Sequence, residues 1–257
     1  MRLYSVLLAL ALAAGCSSSS PARQNVATPA ETGSGTAPTA GSAETAPPSA
    51  NPGINARYQT PEGRAASVKL FEEPERASFQ KPDEVIAHLG IKKGETIADV
   101  ATGSGYMLTR LSAAVGSTGK VYAEDIQAEF LEVAKEKITT NKLSNVEVIL
   151  GTATDPKLPA GCCDRIIVLD AYHHFEWPEP MLATFAKALK PNGRLILVDF
   201  HRRPNPIFDH YKIDVMKHVR LDQEGVKKEL VANGWQHVED KDFLSYQFFS
   251  VFTRKSP

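Results

Sequence analysis

The chain has 257 residues, with 29 Lys and Arg against 30 Asp and Glu, a formal net charge of −1. A balance this even offers no basic field for a polyanion, so nucleic acid is not expected as a partner. The cysteines are Cys16 and the adjacent pair Cys162 and Cys163. They match no zinc or Cys-x-x-Cys spacing, and adjacent cysteines pair only with backbone strain.

In chain order, Arg2 precedes an apolar run over residues 6–14 that is too short to span a bilayer. That is the layout of a secretory signal. Leu12-Ala13-Ala14-Gly15-Cys16 resembles the signal box of bacterial lipoproteins. The resemblance implies that residues 1–16 end at a lipidated Cys16, which makes a membrane a partner. Ser17 stands where an inner-membrane retention aspartate would, so the expected address is the bacterial cell envelope, on the periplasmic face of the outer membrane. Residues 17–55 are Ser, Ala, Thr, Pro and Gly with almost no large apolar side chain. They cannot bury enough surface to offset chain entropy and read as a disordered linker.

Residues 56–257 suffice for one domain with a full core. Strand patterns fall at residues 96–100, 120–124, 146–150, 165–169 and 194–200, with helical patterns at 106–115, 127–141 and 179–189 between them. Pro191-Asn192-Gly193 stops the last of these helices. A further helix is expected at 222–233, followed by strands at 237–243 and 247–253 joined by a short turn. The alternation predicts an α/β fold with a mostly parallel sheet and helices on both faces.

The first strand runs into Asp99-Val100-Ala101-Thr102-Gly103-Ser104-Gly105, and about twenty residues after that turn the second strand ends in Asp125. This is a nucleotide-binding βαβ layout, in which glycines let the backbone approach a ligand and an acid takes the ribose hydroxyls. The turn lacks the third glycine of a dinucleotide fingerprint. It resembles instead the first motif of class I S-adenosylmethionine (SAM) methyltransferases, with Asp125-Ile126-Gln127 as their second-strand acid and its neighbours. Phe71 to Pro82, with Tyr172-His173-His174-Phe175 and His218-Val219-Arg220, further resembles a poorly characterised set of exported bacterial methyltransferases.

The superfamily resemblance implies a Rossmann-like seven-stranded sheet of order 3-2-1-4-5-7-6 with a C-terminal antiparallel hairpin, SAM as cofactor, and ligands at the C-terminal strand ends. It assigns the methionine end to Asp99 and the Ala101, Gly103, Ser104 and Gly105 turn. Asp125 takes the ribose and Ile126 the adenine face. Ala101 departs from the usual glycine and is tolerable if its backbone stays at negative φ. Thr152 stands where an acid for the adenine amine is common. Either it or Asp155 fills that role, unless Asp155 only caps the turn before Pro156.

On the acceptor side the fourth strand delivers Asp170 and then Tyr172, His173 and His174. Either histidine could take a proton near neutral pH, or the pair could simply pack at a helix start. Tyr172, His201, His218 and Arg220 are candidate acceptor contacts. Asp170 and Asp199 end strands at places where catechol-type methyltransferases hold magnesium, but Phe200 stands where those enzymes have asparagine, so no metal is expected. The leading expectation is methyl transfer to a small molecule or envelope component. Protein carboxyl (isoaspartyl-type) methylation and a non-catalytic SAM-binding lipoprotein are the alternatives.

Overall fold

The computed structural model describes residues 47–255; the signal-like residues 1–16, Cys16 and linker residues 17–46 lie outside them. A 3-10 turn, Ala56–Gln59, and helices α1 (Pro61–Phe71), α2 (Arg76–Gln80) and α3 (Pro82–Leu89) lead into β1 (Thr96–Val100). There follow α4 (Leu108–Val115), β2 (Lys120–Asp125), α5 (Ala128–Thr140), β3 (Val146–Leu150) and β4 (Cys163–Leu169). After a 3-10 turn, Tyr172–His174, come α6 (Pro178–Ala188), β5 (Leu189–Phe200), α7 (Pro206–His210) and α8 (Val215–His218). The chain closes with α9 (Gln223–Ala232), β6 (Trp235–Lys241) and β7 (Gln247–Arg254). Among the described residues no helix is long and apolar enough to cross a membrane.

The seven strands form one sheet in the order β3-β2-β1-β4-β5-β7-β6. The first five strands pair in parallel, and β7 runs antiparallel between β5 and β6. Inner strands are apolar on both faces because helices cover both. On one face Ala98, Val100, Ile166 and Val168 pack against Leu182 and Phe185 of α6, Leu230 of α9, and Trp235. On the other, Ile97, Val121, Ile167 and Ile196 meet Val85 of α3, Leu108 and Leu111 of α4, and Ala134 of α5. Helix starts carry the expected caps: Thr60 Oγ1 accepts from Gly63 N at 3.0 Å, and Asp222 Oδ1 from Gly225 N at 2.8 Å.

Two boundaries differ from the sequence expectation. β5 starts at Leu189, before the Pro-Asn-Gly stop, because Leu189 pairs with Cys163 and the ladder then resumes at Arg194 opposite Arg165. Residues 190–193 bulge out between these pairs. The linker also ends early. Residues 47–55, expected to be disordered, lie against the domain: Trp177 Nε1 donates to Pro47 O at 2.7 Å, Ala50 N to Glu176 O at 2.7 Å, and Asn51 Nδ2 to His173 O at 2.9 Å. Polar side chains, not apolar burial, hold this strap, which is why composition concealed it.

Candidate active site

The C-terminal ends of β1, β2, β4 and β5 open into a cavity of about 570 Å³, closed over by the residue 53–58 strap, α1 and the α7–α8 segment. Such a volume suits a nucleoside-sized ligand.

At one end β1 and β2 deliver Asp99 and Asp125, both buried. Asp125 accepts from Gly103 N at 2.9 Å and Gln127 N at 2.8 Å, so its carboxylate ties the glycine turn to the start of α5. Asp99 accepts from Thr102 Oγ1 at 2.7 Å. Gly103 has φ +57°, where glycine is unstrained, and a Cβ on it would lie 3.2 Å from the Phe71 ring, which would have to give by a few tenths of an ångström. Gly105 serves packing: a Cβ on it would meet Leu108 Cδ1 at 2.7 Å, and it does not line the cavity. Neither does Ser104, whose Oγ donates to Glu72 Oε1 at 2.5 Å and pins the turn to the end of α1.

Ala101 lines the cavity but takes φ +58°, so the condition of a negative φ under which its methyl group is tolerable is not met. The left-handed conformation crowds its Cβ against the backbone. Ala101→Gly should therefore stabilise the domain by about 1 kcal/mol, raising Tm by roughly 2–4 °C in a thermal melt; an unchanged or lower Tm would contradict this geometry.

Ile126 lines the cavity, half exposed to it. Thr152 and Asp155 do not line it, which leaves, of the alternatives for Asp155, the turn cap. They bridge each other across a tight turn, and Asp155 Oδ1 caps it by accepting from Lys157 N at 2.8 Å. Only Ala153, between them, reaches the cavity wall. Glu124, set aside for the ribose in favour of Asp125 because strand alternation aims it the opposite way, also lines the cavity. Its Oε2 accepts from Ala101 N at 3.3 Å, while Oε1 is buried without a partner, beside a Gly151 with no room for a Cβ. Desolvation, with Asp125 adjacent, holds the Glu124 carboxyl well above the usual carboxylate range.

Burial likewise raises Asp99 and Asp125, each from 3.8 to about 6. A carboxyl raised in the fold binds its proton more tightly there than in the open chain. Its contribution to stability is present below 3.8 and is lost as the pH rises through about 6. Ligand binding runs the other way, since hydroxyls and an amine need the ionised carboxylates as acceptors. SAM affinity should therefore fall as the pH drops below about 6. Titrations between pH 8 and pH 5 check this, and a flat affinity would contradict it.

At the other end, the 3-10 turn after β4 splays successive side chains. His173 and His174 enter the cavity, and His218 meets them from the end of α8. The three rings pack at centroid distances of 4.3, 5.0 and 5.2 Å. Asp199 fixes His173, accepting from its backbone N at 2.9 Å and pairing with Nδ1 at 2.7 Å. An ionised carboxylate only accepts, so Nδ1 carries the proton. His174 Nδ1 pairs with Asn55 Oδ1 at 3.0 Å, and Tyr58 OH lies 3.4 Å from its Nε2. Desolvation and the neighbouring imidazoles push His174 well below 6.5 and His218 down to about 4. Neither is a strong base at neutral pH.

Asp170 lines the cavity at φ +54°, held by Arg76 at 3.3 Å and by Gln247 Nε2, which donates to Oδ1. Burial raises it from 3.8 to about 6. Tyr172, Arg220 and His201 do not line the cavity, which corrects their assignment to the acceptor side. Tyr172 drops into the core and donates to Glu229 Oε1 at 2.5 Å, and Arg220 grips the same carboxylate at 2.5 and 2.7 Å. His201 sits beside Phe248, with ring centroids 5.9 Å apart.

SAM suits these residues on a structural ground: Gly103 leaves, in the cavity wall, a cradle a Cβ would fill. The strand order, the glycine turn after β1 and the buried acids of β1 and β2 match the Rossmann-like class I methyltransferase fold. Residues 91–247, well over half of the chain, match the family model described as a methyltransferase domain, and the chain belongs to that family. It is similar to the ubiquinone/menaquinone biosynthesis C-methyltransferase UbiE of Francisella tularensis subsp. novicida, 30% identical over 138 residues, which are 52% of this chain and 55% of that protein. With the enzyme of the same name from Francisella philomiragia subsp. philomiragia it shares 30% identity over 175 residues, 65% of this chain and 70% of the other. The chain thus spans about half to two thirds of the length of these curated relatives. A crystal structure of a SAM-dependent methyltransferase from Aquifex aeolicus matches with a TM-score of 0.67 at 27% identity, over 73% of this chain and 96% of that one.

Proposed function

We propose that the protein methylates a small, largely apolar acceptor carrying an aromatic ring. The observation behind this is the continuity of one cavity from the Asp99–Asp125 end to a wall of Phe79, Phe200, Ile207, Phe208 and Tyr211 around the histidines. Aromatic and aliphatic walls with a few convergent polar groups favour a flat apolar ligand. The quinone-pathway names of the similar Francisella enzymes lend support.

SAM, when bound, supplies an electrophilic methyl group on a sulfonium. On this reading Asp125 accepts from the ribose hydroxyls, Asp99 faces the methionine amine, and Ile126 packs on the base. Glu124, which lines the cavity where Thr152 and Asp155 do not, serves the exocyclic amine. Asp170 and the imidazoles of His173, His174 and His218 orient the acceptor. Alignment of the reacting partners can supply up to roughly 7–11 kcal/mol of barrier reduction in favourable cases. The weak basicity of His174 and His218 favours holding over proton abstraction as their role.

The test is a screen of phenols, hydroquinones and non-aromatic alcohols with methyl-labelled SAM. Label in ring-bearing acceptors, lost in a Phe200→Ala or Phe208→Ala variant that still binds SAM, is the expected result. Transfer confined to polar, non-aromatic acceptors would overturn the reading.

A further inference from the structure

We propose that His173, His174 and His218 form a site for a divalent transition-metal ion of the zinc class at the acceptor end of the cavity. One ring nitrogen from each of the three lies within 4.8 Å of the others. With zinc–nitrogen bonds of about 2.0–2.1 Å, tetrahedral ligands sit about 3.3 Å apart, so side-chain adjustment alone closes the set. The supporting shell is already built. His173 Nδ1 is engaged by Asp199 at 2.7 Å, which leaves its Nε2 for an ion; His174 Nδ1 is engaged by Asn55 at 3.0 Å, and its Nε2 serves an ion once the 3.4 Å contact with Tyr58 OH is given up. A metal-ligating histidine is oriented in this way, through its other nitrogen, by a carboxylate or a carbonyl oxygen.

The chemistry of the donors selects the ion. The acids considered from sequence are committed elsewhere, Asp170 to Arg76 and Gln247, and Asp199 to His173. Three imidazoles without a carboxylate suit zinc, cobalt, nickel or copper rather than magnesium. Three protein ligands also leave a fourth position, and here it faces the cavity. A hydroxyl or thiol of the acceptor fits that position as its anion, releasing its proton to solvent. The anion's lone pair then forms the bond to the methyl carbon, and the sulfonium–methyl electron pair stays on sulfur. This step rests on the methyltransferase reading and points to oxygen or sulfur as the methylated atom, a departure from the C-methyltransferases among the relatives.

The experiment is titration of the untagged, chelator-treated full chain with Co²⁺, followed by its visible absorption and by Zn²⁺ competition, alongside titration with S-adenosylhomocysteine. One equivalent of Co²⁺ should give a tetrahedral spectrum. His173→Ala, His174→Ala and His218→Ala should each weaken it on the order of 100-fold or more, with Cys162→Ser unchanged and S-adenosylhomocysteine still bound. His218→Gln serves as a milder variant, and a thermal melt verifies folding. The proposal is overturned if a chain that binds S-adenosylhomocysteine takes up no Co²⁺, or if the spectrum survives the histidine substitutions. Co²⁺ uptake without S-adenosylhomocysteine binding would uphold the ion site and overturn the cofactor reading instead.

Discussion

Asp125→Ala is expected to weaken SAM binding on the order of 100-fold, or about 2.8 kcal/mol. Hydrogen bonds to a charged acceptor contribute about 1.5–3 kcal/mol each, and a ribose diol offers two. The buried carboxylate also organises the site before ligand arrives, through Gly103 N and Gln127 N. Removing it strands both donors, so part of the loss comes from a loosened turn. Asp125→Asn separates these contributions: it keeps an acceptor for one backbone N–H and loses the charge, and its affinity should fall between wild type and Asp125→Ala. Calorimetry on all three proteins checks the order. Equal affinity for wild type and Asp125→Ala would remove Asp125 from the ribose site.

Asp199→Asn carries the second large effect, on stability and on the acceptor end together. Asp199 takes three donors: His173 N, His173 Nδ1 and Phe200 N, at 2.9, 2.7 and 2.8 Å. An amide turns one accepting oxygen into a donor facing another donor inside a buried site. Unsatisfied buried donors cost roughly 1–3 kcal/mol each, so a loss of about 3 kcal/mol and a Tm lower by roughly 6–12 °C are expected. SAM affinity should stay within a few-fold of wild type, because Asp199 touches the histidine end. A positioning role has its own signature: the protected downfield Nδ1 proton resonance of His173 should move upfield in the variant, because a neutral amide oxygen is a weaker acceptor than a carboxylate. An unshifted resonance together with an unchanged Tm would show that Asp199 does not hold His173.

The fold was legible because its signals are local and repetitive. Apolar strands at 96–100, 146–150 and 165–169, helical faces between them and the glycine turn each specify one element, and the superfamily resemblance gave their order. Asp99, Gly103 and Asp125 were legible as cavity residues because they lie within the first βαβ unit, Asp125 taking the backbone N–H groups of Gly103 and Gln127 and Asp99 the Thr102 hydroxyl. The acceptor end was less so. Tyr172 and His173 are neighbours in sequence, and only the 3-10 turn sends one into the core and the other into the cavity. Arg220 reads as a free cation until Glu229, nine residues on, pairs with it. Asn51, Asn55 and Tyr58 were hidden in a stretch with no hydrophobic periodicity, and Arg76 and Gln247 reach Asp170 from opposite ends of the domain. Glu124 was set aside because alternation turns it away from Asp125, yet both residues line the cavity.

Titration of the full chain with SAM and then S-adenosylhomocysteine in a calorimeter at pH 7.5 shows whether the cavity binds the methyl donor and its product. One equivalent of each, bound in the micromolar range by wild type and weakened together by Asp125→Ala, is the expected result. A folded chain that takes up neither would contradict the claim that the cavity between Asp99, Asp125 and the histidines holds a methyl donor.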